Sequence, residues 1–275
     1  MNPGLALTSL SIVAAFGNIA FYYPKMMGNR VALRPRLEQS VMMLALLLAG
    51  AGFFLQPGIL GYVLGGIAIV PAGLFLFATA KSGLDHQQPA MAVAEMAPDF
   101  SATRADGTEL RLSDLRGSPV LLKFYRGYWC PYCVAELAQL DRFAKDFSAL
   151  GVKLVAVSSD RPDELRAFMR KQSWAITLLA DPELAAHRLY NVQQRNFTPH
   201  NVQQRNFPPR RGPFRDLAIP STILIDADGR VLLIEQAIDF RVRPQAEVLL
   251  AKTRALLGGR ASDAVAADSC EVCVA

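Results

Sequence analysis

The four cysteines of this 275-residue chain come as two Cys-x-x-Cys pairs, Cys130/Cys133 and Cys270/Cys273. Thiols paired at that spacing either exchange disulfides or hold a metal. The first pair lies in Trp129-Cys130-Pro131-Tyr132-Cys133. In disulfide exchange the thiolate is the nucleophile, and an ordinary cysteine of pKa ~8.5 is only about 3% ionised at pH 7. Lowering that pKa to ~6.5 raises the fraction to roughly three-quarters. The neighbouring sequence supplies the means. The apolar run 119–125 (PVLLKFY) predicts a buried strand, and the spacing of Val134, Leu137, Leu140, Phe143 and Phe147 predicts a helix over 131–150. Cys130 then stands where a helix begins, and unpaired N–H groups together with the positive end of the helix dipole favour its anion. Pro131 suits the first helical position, where its missing N–H costs nothing. Cys133 follows one turn later, near enough to release a mixed disulfide. These positions assign Cys130 as nucleophile, Cys133 as resolving thiol and Trp129 to the surface that meets partners. The alternative is a zinc knuckle completed by Cys270 and Cys273, although zinc pairs sit on tight turns rather than at the mouth of a long helix.

The elements that must carry this dithiol alternate. Residues 152–159 read as a strand, 161–173 as a helix opened by Asp160 and Pro162, 175–180 as a short strand and 182–190 as a helix. Residues 221–226 and 230–237 flank Ala227-Asp228-Gly229, a hairpin signal, and an amphipathic helix over 244–257 closes the domain. The expectation is an α/β domain, a central mixed sheet with helices on both faces.

Four segments carry a family resemblance: Ala97-Pro98-Asp99-Phe100, residues 112–117 (LSDLRG), residues 122–133 (LKFYRGYWCPYC), and Ile219-Pro220-Ser221-Thr222 with the following ILIDADG. In order and spacing they resemble the peroxiredoxin-like branch of the alkyl hydroperoxide reductase and thiol-specific antioxidant family, over residues 97–257. The resemblance implies a thioredoxin fold and an antioxidant or redox-homeostasis activity. It also carries departures. The family's Pro-x3-Thr-x2-Cys pattern overlays on Arg126, Cys130 and Cys133, which puts Cys133 in the peroxidatic place with the Pro and Thr replaced. Where the family has an arginine before the later strand, this chain has Pro220, which looks like the cis-proline that thioredoxins set beside their dithiol. Taken together, the departures favour dithiol exchange over peroxide reduction, with thiol peroxidase as the alternative. Arg126 is a candidate to stabilise a thiolate or orient a peroxide.

The remaining sequence is of another kind. Residues 1–80 hold only five charges, Lys25, Arg30, Arg34, Arg36 and Glu38, all between two long uncharged runs. Spans are expected near 5–23, 41–55 and 58–80, the second barely long enough for a hydrocarbon core of ~30 Å. Gly61 and Gly65 give a small-xxx-small spacing for close helix contact. The basic loop predicts an outside N-terminus and a cytoplasmic soluble domain in a bacterial-type inner membrane, with the periplasm as the alternative if the short span fails. Residues 81–96 read as a linker, and 258–275 as a flexible tail whose Cys270 and Cys273 are a candidate shuttle dithiol. NVQQRNF occurs at 191–197 and again at 201–207, a duplicated segment in a long basic loop. The expected partners are a disulfide-containing protein or small molecule, or a hydroperoxide, together with an external thiol reductant and the membrane. The net charge of +5 comes without a nucleic-acid motif, and no nucleic acid or cofactor is expected. A metal-binding membrane adaptor is the alternative from another class.

Overall fold

A computed structural model describes residues 2–84, 88–194 and 216–258. The tail pair Cys270 and Cys273, the second NVQQRNF copy and most of the basic loop lie outside the described residues. The chain forms two units, Met1–Gly83 with Asp239–Val242, and Leu84–Ile238 with the residues from Arg243 on.

The first unit holds three helices, α1 (Pro3–Met27), α2 (Arg36–Phe54) and α3 (Gly58–Ala80), each long and apolar enough to cross a membrane. The second begins earlier than the expected residue 41. Its polar first turn is satisfied inside the unit: Lys25 Nζ donates to Glu38 Oε1 at 2.7 Å and Gln39 Nε2 to Thr79 Oγ1 at 3.0 Å. The 19 residues then rise about 28 Å, close to the hydrocarbon thickness. Small and polar residues fill the seam, with Thr8, Ser11, Ala45, Ala49, Ala68 and Ala72 buried, while Phe54 and Ile59 are 88% and 86% exposed. That inverts the pattern of a water-soluble bundle and suits helices packed by close approach in lipid. The expected contact at Gly61 and Gly65 is present, since a Cβ at either would meet the Thr8 side chain at 3.1–3.2 Å. From the C-terminal half, Phe240 N donates to Ser82 O at 3.0 Å and Arg241 Nη2 to Leu33 O at 3.2 Å, so Asp239–Val242 belongs to this unit.

The second unit is built on a seven-stranded mixed sheet. Its strands are β1 (Ser101–Arg104), β2 (Glu109–Arg111), β3 (Val120–Tyr125), β4 (Lys153–Ser158), β5 (Thr177–Ala180), β8 (Ser221–Ile225) and β9 (Val231–Gln236), in the order β2-β1-β5-β4-β3-β8-β9. A two-stranded ladder joins β6 (Gln193–Gln194) to β7 (Leu217–Ala218). The central trio β3, β4 and β5 is parallel, β8 runs antiparallel to β3, β9 antiparallel to β8 and so in the direction of the trio, and β1, antiparallel to β5, forms an antiparallel hairpin with β2 at the far edge. The helices are α4 (Pro131–Arg142), α5 (Ala144–Ala149), α6 (Pro162–Met169), α7 (Ala185–Leu189) and α8 (Ala246–Leu257). Leu137 and Leu140 of α4, Leu165 of α6 and Leu249 of α8 pack on one sheet face with Leu121 and Tyr125. Phe100, Leu122, Phe124, Val157 and Tyr190 fill the other. This is the expected two-sided thioredoxin fold.

Three local expectations change. The helix over 131–150 is two helices that meet at Phe143. Asp160 does not cap α6, whose first turn is closed instead by Arg161 and Glu164. The segment 81–96 is not a free linker throughout: Met91 is buried in the second core cluster, and Ala94 N donates to Val231 O at 2.8 Å.

Candidate active site

The sheet brings the dithiol to the carboxyl end of β3, one of its parallel trio. β3 stops at Tyr125, and Arg126-Gly127-Tyr128-Trp129 turns the chain into α4. Gly127 has φ +143°, and a Cβ there would lie 2.6 Å from Asp160 Oδ1 and 2.5 Å from Trp129 Nε1, so only glycine fits. Asp160 braces this turn rather than a helix, accepting from Tyr128 N at 2.9 Å and from Ser158 Oγ at 2.9 Å.

Cys130 is the N-cap of α4, Pro131 its first residue, and Cys133 N donates to Cys130 O at 3.1 Å. Both sulfurs are buried, Cys130 at 2% exposure and Cys133 at 0%, whereas Trp129 is 43% exposed beside them. Both cysteines are free thiols. Arg126 contributes its backbone N–H to the Cys133 sulfur, and its guanidinium charge acts on both Cys130 and Cys133. Burial lowers its guanidinium's basicity, and that group lies 5.7 Å from the Trp129 ring centroid.

The charge that dominates the site was not anticipated. Arg243, the residue before Pro244 at the entry to α8, sends Nη2 to 3.6 Å from Cys133 Sγ and Nε to 3.0 Å from Glu136 Oε2. Glu136 stands one turn after Cys133 on the same face of α4, and its Oε1 pairs with Lys123 Nζ. Lys123 lies on β3 and also donates to Thr222 Oγ1 of β8, its register partner, at 2.7 Å. The sequence carried a signal for two of the three. A lysine amid PVLLKFY and a carboxylate one turn after a cysteine are charges on faces that are otherwise core.

These neighbours make the two sulfurs unequal. Burial opposes ionisation of Cys133, but the S–H donated by Cys130 and the Arg243 guanidinium outweigh it, and its pKa falls to about 6. Cys130 moves upward, because its S–H donates a hydrogen bond to the Cys133 sulfur and is itself buried. These neighbours favour the anion at Cys133, where the helix start alone points to Cys130. Pro220 is a correction: the described residues contain no cis peptide bond, so Ile219–Pro220 is trans. The chain runs extended from β7 into β8, with Ile219 N donating to Val192 O at 2.7 Å and Pro220 O accepting from Ala237 N at 2.8 Å.

A depressed thiol pKa has a definite signature. The thiolate is present above about pH 6 and is lost as the pH falls through that value. Alkylation at Cys133, followed by peptide mapping, should be half-maximal near pH 6 and flat above about pH 7, where an ordinary thiol of pKa ~8.5 would still be climbing.

Chemically, one buried thiolate beside a thiol proton donor and a fixed guanidinium can attack a small electrophile and then close a disulfide. A profile of the AhpC/TSA family matches residues 93–234. The chain is 30% identical over 146 residues to thiol-disulfide oxidoreductase ResA of Geobacillus kaustophilus, covering 53% of this chain and 70% of the relative. It is 28% identical over 138 residues to peroxiredoxin Bcp of Escherichia coli K12, covering 50% and 80%. Among solved structures, peroxidoxin BcpB from Mycobacterium tuberculosis aligns with a TM-score of 0.48 at 24% identity, over 60% of this chain and 97% of that one.

Proposed function

The chain belongs to the AhpC/TSA family and is a thiol-dependent oxidoreductase; within that class, we propose that it reduces hydroperoxides, with Cys133 as the attacking sulfur and Cys130 as the resolving one. The observation that carries this is Arg243 Nη2 at 3.6 Å from a fully buried Cys133 Sγ. A buried anion excludes bulky disulfides and admits a small oxidant, and a fixed cation beside it stabilises the charge that develops on the peroxide oxygens.

The steps balance. The Cys133 thiolate attacks one peroxide oxygen, the O–O bond breaks, and the departing alkoxide or hydroxide takes a proton to leave as alcohol or water. Cys133 is then a sulfenic acid. The Cys130 sulfur attacks it, water leaves and the Cys130–Cys133 disulfide forms. An external dithiol returns both sulfurs to the reduced state by exchange. The exposed Trp129, with Tyr128 at 36%, is the surface on which that reductant docks.

The test is stopped-flow mixing of the reduced full-length protein in detergent with hydrogen peroxide, followed by tryptophan fluorescence. Oxidation should exceed that of free cysteine at pH 7 by more than about thirtyfold, the gain that thiolate fraction alone supplies. A second reading, exchange with protein disulfides through Cys130, draws on the exposed Tyr128 and Trp129 and the identity to ResA. Oxidation by peroxide no faster than free cysteine, with rapid reaction of an oxidised protein substrate, would replace the first reading by the second.

The three apolar helices serve as a membrane anchor in this proposal. With α2 long enough to span, the basic loop holding Lys25, Arg30 and Arg34 lies on the cytoplasmic side, and three crossings from an outside N-terminus leave the redox domain there too.

A further inference from the structure

Glu136 is shared. One carboxylate oxygen takes Lys123 Nζ and the other takes Arg243 Nε at 3.0 Å, with all three side chains at most 3% exposed. An arginine and a carboxylate left to themselves form two parallel N–H···O bonds. Here Lys123 sits on one oxygen, Arg243 Nε forms an ion pair with the other at 3.0 Å, and Arg243 Nη2 is directed to Cys133 Sγ instead of lying alongside the carboxylate. Lys123 is held in that role from its far side by Thr222 Oγ1 at 2.7 Å. It lies between Leu121 and Tyr125 on a strand whose alternation turns it toward the core face that also holds Cys133.

We propose that Lys123 is a positioning residue for the Cys133 sulfur: by occupying one oxygen of Glu136, it denies Arg243 a two-pronged grip on that carboxylate and turns the guanidinium toward the thiolate. Charge acts in the same direction. Among these four groups, Lys123, Glu136, Arg243 and an ionised Cys133 sum to zero, whereas a protonated Cys133 leaves the four with a net positive charge in a buried setting. Removing Lys123 reverses the balance, and the neutral thiol then becomes the compensated form. The other groups facing the sulfur are Cys130, Tyr125 and Arg126. None of them touches the free edge of Glu136 in the bonds described, so none substitutes for Lys123.

The inference rests on the proposal that Cys133 is the reacting sulfur, but its test does not require peroxide. The full-length protein carrying Cys270→Ser and Cys273→Ser is titrated by alkylation mapped at Cys133, with and without Lys123→Met. The expected result is a midpoint raised by at least one pH unit and alkylation at pH 6 slowed about fivefold or more. Lys123→Arg, which keeps a cation on Glu136, should hold the midpoint near that of the parent. A folded Lys123→Met protein with an unchanged midpoint overturns the proposal, as does a Lys123→Arg midpoint as high as that of Lys123→Met. If Lys123→Met does not fold, Thr222→Val carries the test by freeing Lys123 from its second partner. A raised midpoint then supports the proposal and an unmoved one overturns it. A raised midpoint in a protein that ignores hydrogen peroxide would leave the role of Lys123 standing and remove only the peroxidase reading.

Discussion

Cys133→Ser should abolish peroxide reduction, while Cys130→Ser should permit a single turnover and then stop. The first variant removes the sulfur that Arg243 Nη2 reaches at 3.6 Å, and the Cys130 thiol that remains is buried, with its pKa pushed upward. Its reaction with peroxide should fall to or below that of free cysteine, a loss of at least roughly thirtyfold from thiolate fraction alone. The second variant keeps the thiolate and its cation but has no sulfur one turn away to condense with the sulfenic acid. A sulfenic-acid probe should therefore label Cys133 in Cys130→Ser, and intact-mass measurement should place one adduct per chain. Serine at 130 also withdraws the S–H donor that helps hold the anion, so the first turnover should be slower than in the parent protein. The reverse pattern, with Cys133→Ser retaining reactivity and labelling at Cys130, would restore the order drawn from the helix start.

Arg243→Met should cost about two orders of magnitude in the rate of oxidation at pH 7. Part of this is ionisation. A thiol returned all the way from about 6 to an ordinary ~8.5 would fall from about nine-tenths to about 3% thiolate, a factor of ~30, and because the Cys130 S–H still donates in the variant this factor is the upper limit of the ionisation loss. The rest is the loss of a fixed donor at the point where charge builds in the transition state, for which a single oriented donor supplies ~10²–10³ in other enzymes and less here, where the Arg126 N–H remains. The two parts separate experimentally. A full pH–rate profile of the variant should recover most of the ionisation loss above pH 9 and none of the remainder. Because Glu136 keeps Lys123, the variant should still fold, with its circular dichroism unchanged. An Arg243→Met profile superimposable on that of the parent would show that the guanidinium plays no part.

Much of the frame could be read in advance because its signals are local. A strand, a turn and a helix around Cys130, the hairpin at Ala227-Asp228-Gly229 and three uncharged runs are each written within some twenty consecutive residues. The edge hairpin β1–β2 was passed over although Asp106-Gly107 announces it, with Gly107 at φ +95°. The inequality of the two sulfurs was of a different order. It depends on Arg243, 110 positions from Cys133, and on Lys123, 99 positions from Thr222, and no periodicity links residues so far apart. Strand alternation marked Lys123 as a charge in a core, but only the fold reveals that Glu136 and Arg243 meet it. Reasoning from the motif alone therefore favours the cysteine at the helix start, while the packing around Arg243 favours its neighbour.

The balance around Glu136 also bears on the protein after it has been oxidised. Once Cys130 and Cys133 are joined, the sulfur carries no charge, and Lys123 and Arg243 face a single carboxylate in a dry interior. The new covalent link spans only one helical turn, a loop too short to constrain the unfolded chain by much. Oxidation thus removes one of the two negative charges in that set without adding a useful staple, which favours the dithiol form. A disulfide whose reduced partner is favoured in this way lies toward the oxidising end of the thiol scale. It is readily reset by a modest donor, which suits a catalyst that must return quickly to its starting state.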